Sequence, residues 1–234
     1  MSHDELRERA CRANLAIVEA GLVVLTFGNV SAVDRDAGVL AIKPSGVPYD
    51  RLSPDSIVLV DLESGETIGG DLRPSSDTPT HLVLCRRFET IGGIVHTHSP
   101  HATSWAQARR PIPCLGTTHA DHFDGAVPVT RSLTAAEVEG EYELTTGDVI
   151  VETFETAETD PARVPAVLVA GHGPFAWGAD EEDAVENAIA LEVVAANASR
   201  TLALQPEAPE LDAALLRRHF ERKHGPAAYY GQRA

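Results

Sequence analysis

Residues 93–98 read GIVHTH, in which the end of an apolar, β-prone run is followed directly by two histidines. If these residues form a strand, side-chain alternation points His96 and His98 out of one face, where both imidazoles can bind the same divalent metal ion. A third histidine, His172, lies between two glycines in the segment VAGHGP. Three neutral imidazoles with one open position form the ligand set of a catalytic zinc. The stretch therefore predicts a metal centre, with Asp77 as a fourth ligand or an adjacent base.

The distribution of histidines strengthens this hypothesis. A histidine pair at i and i+2 is often only a half-exposed feature of a strand, and Asp77 is equally suited to cap a helix. However, seven of the ten histidines fall between His81 and His172, a density that packing does not require. The clustering favours a metal site. Zinc is the expected ion and manganese the alternative, because imidazole binds several first-row metals.

The overall charge narrows the class of partner. The chain has 35 acidic and 19 basic residues, and its formal net charge of −16 repels nucleic acid and anionic membranes. A small-molecule partner is therefore expected. Cys11, Cys85 and Cys114 are scattered, which predicts neither a disulfide framework nor a thiolate zinc site. The charged N-terminus and the lack of an apolar run of about 18 residues favour a cytoplasmic protein.

Hydrophobic periodicity predicts helices that alternate with short strands. An amphipathic helix opens the chain from Leu6 to Ala20, and the alanine-rich segment 180–204 is the clearest helix. Residues 149–154 are compatible with either a strand or a helix. The remaining predictions are strands at 30–33, 38–43 and 56–62, helices at about 78–88, 101–108 and 211–223, and a hairpin of 167–170 with 175–178. Together they predict a single α/β domain with a mostly antiparallel central sheet and helices on both faces.

Three short segments carry the small residues and hydrogen-bond donors that phosphate capture requires. They read FGNVS at 27–31, KPSG at 43–46 and RPSSD at 73–77. Because the net charge repels anions, a phosphorylated ligand would be held by such local donors, although each segment alone is more often an ordinary turn. The segment HADH at 119–122 and the tyrosine pair at 229–230 supply groups that exchange protons, or that simply belong to a loop and a tail.

The chain resembles the class II aldolase/epimerase family over nearly its full length. Histidine pairs with a distant third histidine occur throughout that family, whereas the THADHF motif and the YYGQ tail resemble its epimerases in particular. The resembling segments are FGNVSAVD at 27–34, IKPSGV at 42–47, RPSSDTPTH at 73–81, GGIVHTHSPHATSWAQA at 92–108, GTTHADHFDGAVPVTR at 116–131, GEYELTTGDVIVETFE at 140–155, HGPFAWG at 172–178 and RKHGPAAYYGQ at 222–232.

The resemblance implies roles for individual residues. It makes the three histidines the metal ligands and places Asp77 at the position of an extra acidic group. Asp121 and Tyr230 match the pair that moves protons on the two faces of the reaction intermediate. His219 and Arg222 match residues that reach a neighbouring subunit's site. The positions that match substrate and phosphate binding are Gly28, Asn29, Lys43, Ser45, Gly46, Ser75 and Ser76.

The same resemblance implies an activity and an assembly. The activity is the interconversion of L-ribulose 5-phosphate and D-xylulose 5-phosphate by retro-aldol cleavage and aldol re-formation of the C3–C4 bond. The assembly is a homotetramer in which the tail, residues 205–234, contributes to a neighbouring subunit's site. Two alternatives stay open: an aldolase that cleaves a ketose 1-phosphate of the fuculose or rhamnulose type, and a non-catalytic binding module like the adducin head. Retention of all three histidines argues against the second alternative.

Overall fold

A seven-stranded antiparallel sheet forms the centre of the molecule, for which a computed structural model describes residues 1–230. The strands are β1 (Asn29–Asp34), β2 (Val39–Ile42), β3 (Val58–Asp61), β4 (Thr67–Gly69), β5 (Gly93–His96), β6 (Ala166–Leu168) and β7 (Pro174–Gly178). They lie in the order β4-β3-β2-β1-β5-β7-β6, and every neighbouring pair is antiparallel. The predicted sheet type is therefore confirmed.

Helices cover both faces of this sheet, as predicted. They are α1 (His3–Glu19), α2 (Thr78–Arg87), α3 (Pro100–Ala108), α4 (Thr117–Ala120), α5 (Ala135–Glu139), α6 (Tyr142–Thr156), α7 (Glu181–Leu204) and α8 (Ala213–His224). On the face covered by α1, Ala32 packs with Leu6 in one apolar cluster. On the face covered by α2 and α6, Trp177 contacts Phe88 and Phe154 with ring centroids 5.6 and 5.3 Å apart. No helix within residues 1–230 is long and apolar enough to span a membrane.

Two local predictions differ from the structure, and one open alternative is decided by it. The strand expected over 93–98 ends at His96, because the chain must leave the sheet for Pro100, the first residue of α3, with Ser99 at its N-cap. The ambiguous segment 149–154 is helical and lies within α6. The prediction omitted β4 and α4, which are three and four residues long and too short to show periodicity. The end of the predicted tail, residues 231–234, lies outside the described residues.

Gly93 pairs with Gly178 where the sheet lies close to α7. Adding one methyl group to Gly178 should therefore have a large effect on stability. A Cβ on Gly178 would lie 2.4 Å from the Asp183 Cβ and 2.6 Å from the Ala184 backbone N. We therefore expect Gly178→Ala to lower the free energy of unfolding by about 1–3 kcal/mol, measured by urea denaturation. Gly116→Ala is the matched control, because a Cβ there meets nothing within 4 Å. Equal stability of the two variants would contradict this packing.

Candidate metal centre and substrate pocket

The candidate site lies at one end of the sheet, where antiparallel strands alternately begin and end. His96 ends β5 and pairs with Asn29 at the start of β1 on one side and with Phe175 of β7 on the other. His172 lies in the turn between β6 and β7, and Lys43 directly follows β2. Segments that are far apart in the sequence therefore meet at this end.

The three predicted histidines converge on a single point. Their candidate ligand atoms all lie within 4.8 Å of one another, and within residues 1–230 no other group of three potential ligands does so. The Nε2 atoms of His98 and His172 are 3.2 Å apart. Two nitrogens bound at about 2.0–2.1 Å to one tetrahedral zinc ion would be about 3.3 Å apart. The donor set and its spacing therefore fit a divalent metal ion.

Neighbouring groups orient the imidazoles and keep them neutral. The Nδ1 atom of His96 lies 2.9 Å from the Pro174 carbonyl O, to which it donates, so Nε2 is left as the ligand atom. The His96 ring also stacks on Phe175, with centroids 4.2 Å apart. Burial lowers the pKa of His96 and His98, and burial together with the other two imidazoles lowers the pKa of His172 to about 4. All three imidazoles are thus neutral at neutral pH, with one ring nitrogen free to bind a metal ion, as metal binding requires.

Asp77 lies beside this centre but is not one of the three converging ligands. It occupies the N-cap position of α2, yet its side chain makes no capping hydrogen bond. Instead its Oδ2 accepts a hydrogen bond of 2.6 Å from Asn29 Nδ2. Burial alone would raise the pKa of Asp77, but the electrostatic influence of the neighbouring imidazoles, that of His96 first, and the hydrogen bond from Asn29 hold this pKa below its ordinary value. An ionised carboxylate therefore lines the site, and its role as ligand or base stays a prediction.

A polar cavity of about 440 Å³ opens next to the histidines. All seven positions in the β1, β2 and α2 loops for which substrate binding was predicted lie on its wall. The wall also contains Tyr142 and Glu143 at the start of α6. Neither was predicted as a site residue, because no spacing relates them to the histidines, although both lie in the family-like segment at 140–155. The predicted positions are Gly28, Asn29, Lys43, Ser45, Gly46, Ser75 and Ser76.

Lys43 gives this cavity a buried positive charge. Its Nζ lies 3.3 Å from the Pro44 carbonyl O and 4.7 Å from the centroid of the Tyr49 ring, and both partners are neutral. Tyr49 in turn donates a hydrogen bond of 2.8 Å to the Gly28 carbonyl O. Burial lowers the pKa of Lys43. An ammonium that has no anionic partner among residues 1–230 is suited to bind an anionic group of a ligand.

Gly28 and Asn29 are adapted to this position in different ways. Gly28 has φ +112°, and a Cβ there would lie 2.8 Å from the His96 carbonyl O, so only glycine fits against the end of β5. Asn29 is buried, and its Nδ2 donates to Ser75 Oγ and Asp77 Oδ2. Within residues 1–230, its Oδ1 is buried and has no hydrogen-bond partner.

A second cluster, which does not line the cavity of the histidines, contains the other four predicted residues: Asp121, His219, Arg222 and Tyr230. Arg222 donates to both carboxylate oxygens of Asp121, at 3.0 and 2.8 Å, and His219 Nδ1 lies 3.0 Å from the same carboxylate. The Arg222 guanidinium lies 4.7 Å from the centroid of the Tyr230 ring. Burial would raise the pKa of Asp121, but these hydrogen bonds hold it below its ordinary value. Asp121 and Tyr230, the predicted proton-moving pair, therefore both contact the guanidinium of Arg222.

His119, two residues before Asp121, provides a pH test of the fold. Burial lowers its pKa to about 4, although its hydrogen bond to the Gly125 carbonyl O opposes this. Its unfolded pKa is about 6.5, so its contribution is present above pH 6.5 and is lost as the pH falls toward 4. We expect His119→Gln to reduce the pH dependence of the unfolding free energy by about 1.4 kcal/mol per pH unit in this window. Urea denaturation of metal-free protein measures it, and parallel wild-type and variant profiles would contradict it.

Several solved structures are similar to this architecture. The structure of an L-fuculose 1-phosphate aldolase matches with a TM-score of 0.79 and 24% identity, over 95% of this chain and 99% of that chain. YgbL from Klebsiella pneumoniae, described as an aldolase, epimerase or decarboxylase, matches with a TM-score of 0.73 and 26% identity, over 93% of this chain and 99% of that chain. An L-fuculose-1-phosphate aldolase from Thermus thermophilus gives a TM-score of 0.68 and 24% identity over 88% and 99%.

These structures share the fold over 88–95% of this chain. The sequence also matches a family model, the Class II Aldolase and Adducin N-terminal domain, over residues 8–198. That match covers the sheet, the three histidines and most of α7, and extends well beyond half of the chain. The chain therefore belongs to the class II aldolase and adducin N-terminal domain family.

Proposed function

We propose that this protein is a metal-dependent 4-epimerase that interconverts L-ribulose 5-phosphate and D-xylulose 5-phosphate. The reaction inverts C4 by breaking and remaking the C3–C4 bond, so it needs a cation, a hold on the phosphate and proton-moving groups on both faces of C4. The observation that carries the proposal is the second cluster, in which Asp121 and Tyr230 both contact Arg222. An aldolase that releases its aldehyde has no need to return the fragment to the opposite face.

The three histidines would hold the ion at the end of β5. When bound, a divalent cation supplies Lewis-acid stabilisation of the negative charge that cleavage leaves on the ketose fragment. We propose zinc, for which three imidazoles are a common ligand set, with manganese as the alternative. Asp77 is proposed as the acidic neighbour of the centre, either as a fourth ligand or as a base.

The cavity beside the histidines would hold the phosphorylated end of the substrate. Lys43 supplies the buried positive charge, and the hydroxyls of Ser45, Ser75 and Ser76 supply neutral donors around it. Holding the phosphate keeps the cleaved aldehyde fragment in place while it turns and presents its other face.

Asp121 and Tyr230 would move the proton of the C4 hydroxyl. One accepts this proton during cleavage and the other returns one after the fragment has turned. His219 and Arg222 hold the Asp121 carboxylate ionised and fixed in orientation. Because this cluster does not line the cavity of its own chain, we propose that a homotetramer brings it to the histidines of a neighbouring copy.

A coupled assay for D-xylulose 5-phosphate formed from L-ribulose 5-phosphate tests the activity directly. We expect turnover in the protein as purified, loss of turnover after chelation, and recovery on adding zinc or manganese. Formation of glycolaldehyde phosphate and dihydroxyacetone alone would favour the class II aldolase alternative, which the similarity to L-fuculose 1-phosphate aldolase supports. A folded protein that binds no metal and turns over no sugar phosphate would instead favour the adducin-like binding module.

Mixing two inactive variants tests whether the site is shared between copies. His98→Asn disables the metal centre, and Tyr230→Phe disables the second cluster. A site at a cyclic interface would use the metal centre of one copy and the second cluster of its neighbour. After the two variants are denatured and refolded together in equal amounts, about a quarter of the sites would combine two intact halves. We expect activity to return toward that fraction, and light scattering to give the mass of a tetramer. A fully inactive mixed oligomer, or an active monomer, would contradict the shared site.

A further inference from the structure

Tyr142 lies between the metal centre and the cavity. It is the first residue of α6, and its hydroxyl is 3.2 Å from the Nδ1 atom of His172. The same residue lines the cavity together with Lys43 and Ser75. His172 lies in the turn between β6 and β7, outside the strands of the sheet. Its ring therefore depends on a side-chain partner for its orientation.

The direction of this hydrogen bond follows from the other ring nitrogen. The Nε2 atom of His172 faces that of His98 at 3.2 Å, so it is the atom that points to the shared ion. A neutral imidazole that offers Nε2 as a ligand carries its proton on Nδ1. Nδ1 of His172 therefore donates, and the Tyr142 oxygen accepts. His96 has the same arrangement, with the Pro174 carbonyl O as its acceptor.

A phenol differs from a carbonyl in this position because it can also donate. When the oxygen of Tyr142 accepts a hydrogen bond from the imidazole Nδ1–H, its own O–H must point elsewhere. Within residues 1–230, this hydroxyl is hydrogen-bonded to His172, and the Thr146 side chain is a second hydrogen-bonding neighbour. The cavity that Tyr142 lines is the direction in which a new acceptor can be offered.

We propose that Tyr142 is a positioning residue that fixes the ring of His172 by accepting a hydrogen bond from its Nδ1–H and, as a result, donates a hydrogen bond from its own O–H to an oxygen of the bound sugar. The metal half of this inference stands on the histidine geometry alone. The substrate half rests on the proposed function, because it requires a ligand with oxygen acceptors in the cavity. Tyr142 thus links occupancy of the metal centre to binding of substrate.

Competition with a chromophoric chelator tests the metal half without any substrate. We expect Tyr142→Phe to weaken zinc affinity by about 10–100-fold, as loss of such a partner does at other metal sites. Tyr229→Phe is the matched control, since Tyr229 is exposed and does not line the cavity. Unfolding of both metal-free variants is followed in parallel, so that a loss of fold is recognised. An unchanged zinc affinity in Tyr142→Phe would overturn the inference.

Nitrogen-15 NMR of the wild-type protein gives a test that does not depend on a variant. We expect the zinc-bound protein to carry the His172 proton on Nδ1, and a proton on Nε2 would overturn the metal half. At saturating zinc, KM of Tyr142→Phe should rise by about 2–10-fold, the effect of one hydrogen bond. Unchanged KM would overturn the substrate half. If the wild type lacks the proposed activity, the affinity and NMR results still decide the metal half.

Discussion

The His98→Asn variant is expected to lose metal and activity together. The His98 Nε2 atom is 3.2 Å from that of His172, and an asparagine side chain is too short to place a nitrogen there. Removing a ligand should weaken metal binding more than the roughly 10–100-fold that loss of an outer partner costs. A bound cation contributes several kcal/mol to charge stabilisation, so turnover should fall by about a hundredfold or more. Metal analysis of the purified variant and the coupled assay measure both effects.

His101→Asn is the matched control for this variant. His101 lies three residues further along the chain in α3, and its backbone N–H, not its imidazole, accounts for its hydrogen bond to Glu192. We expect this control to keep full metal content and turnover. Full activity in metal-free His98→Asn would show that the reaction does not need a cation. Equal losses in both variants would indicate damage to the fold instead of loss of a ligand.

The sheet and its long helices could be predicted from the sequence because their patterns are local. Segment 180–204 has no internal glycine or proline and forms a helix from Glu181, capped by Asp180. The strand β4 gave no such signal, since it is a three-residue edge strand whose Ile68 is half exposed. Residues 149–154 could be assigned only once the helix was seen to extend back to Tyr142, with Val149, Ile150 and Phe154 buried.

The candidate site could be predicted as a set of residues but not as an arrangement. Each histidine is visible in the sequence, whereas the partners that orient them are the Pro174 carbonyl and the Tyr142 hydroxyl, which depend on a turn and on a helix start. Asp77 was equally suited to be a helix cap, and only its contact with Asn29 turns it toward the cavity. Such choices depend on long-range packing, which no local pattern encodes.

The Tyr230→Phe variant is expected to lose epimerisation while keeping its metal. Phenylalanine keeps the ring that lies 4.7 Å from the Arg222 guanidinium, so the variant removes only the hydroxyl. Loss of a proton-transfer group typically costs about 10²–10⁴-fold in rate, and zinc content should equal that of the wild type. Tyr229→Phe is the matched control, because this neighbouring exposed tyrosine loses the same hydroxyl outside the cluster. Wild-type turnover in Tyr230→Phe, or equal losses in the two variants, would show that the Tyr230 hydroxyl does not move the proton.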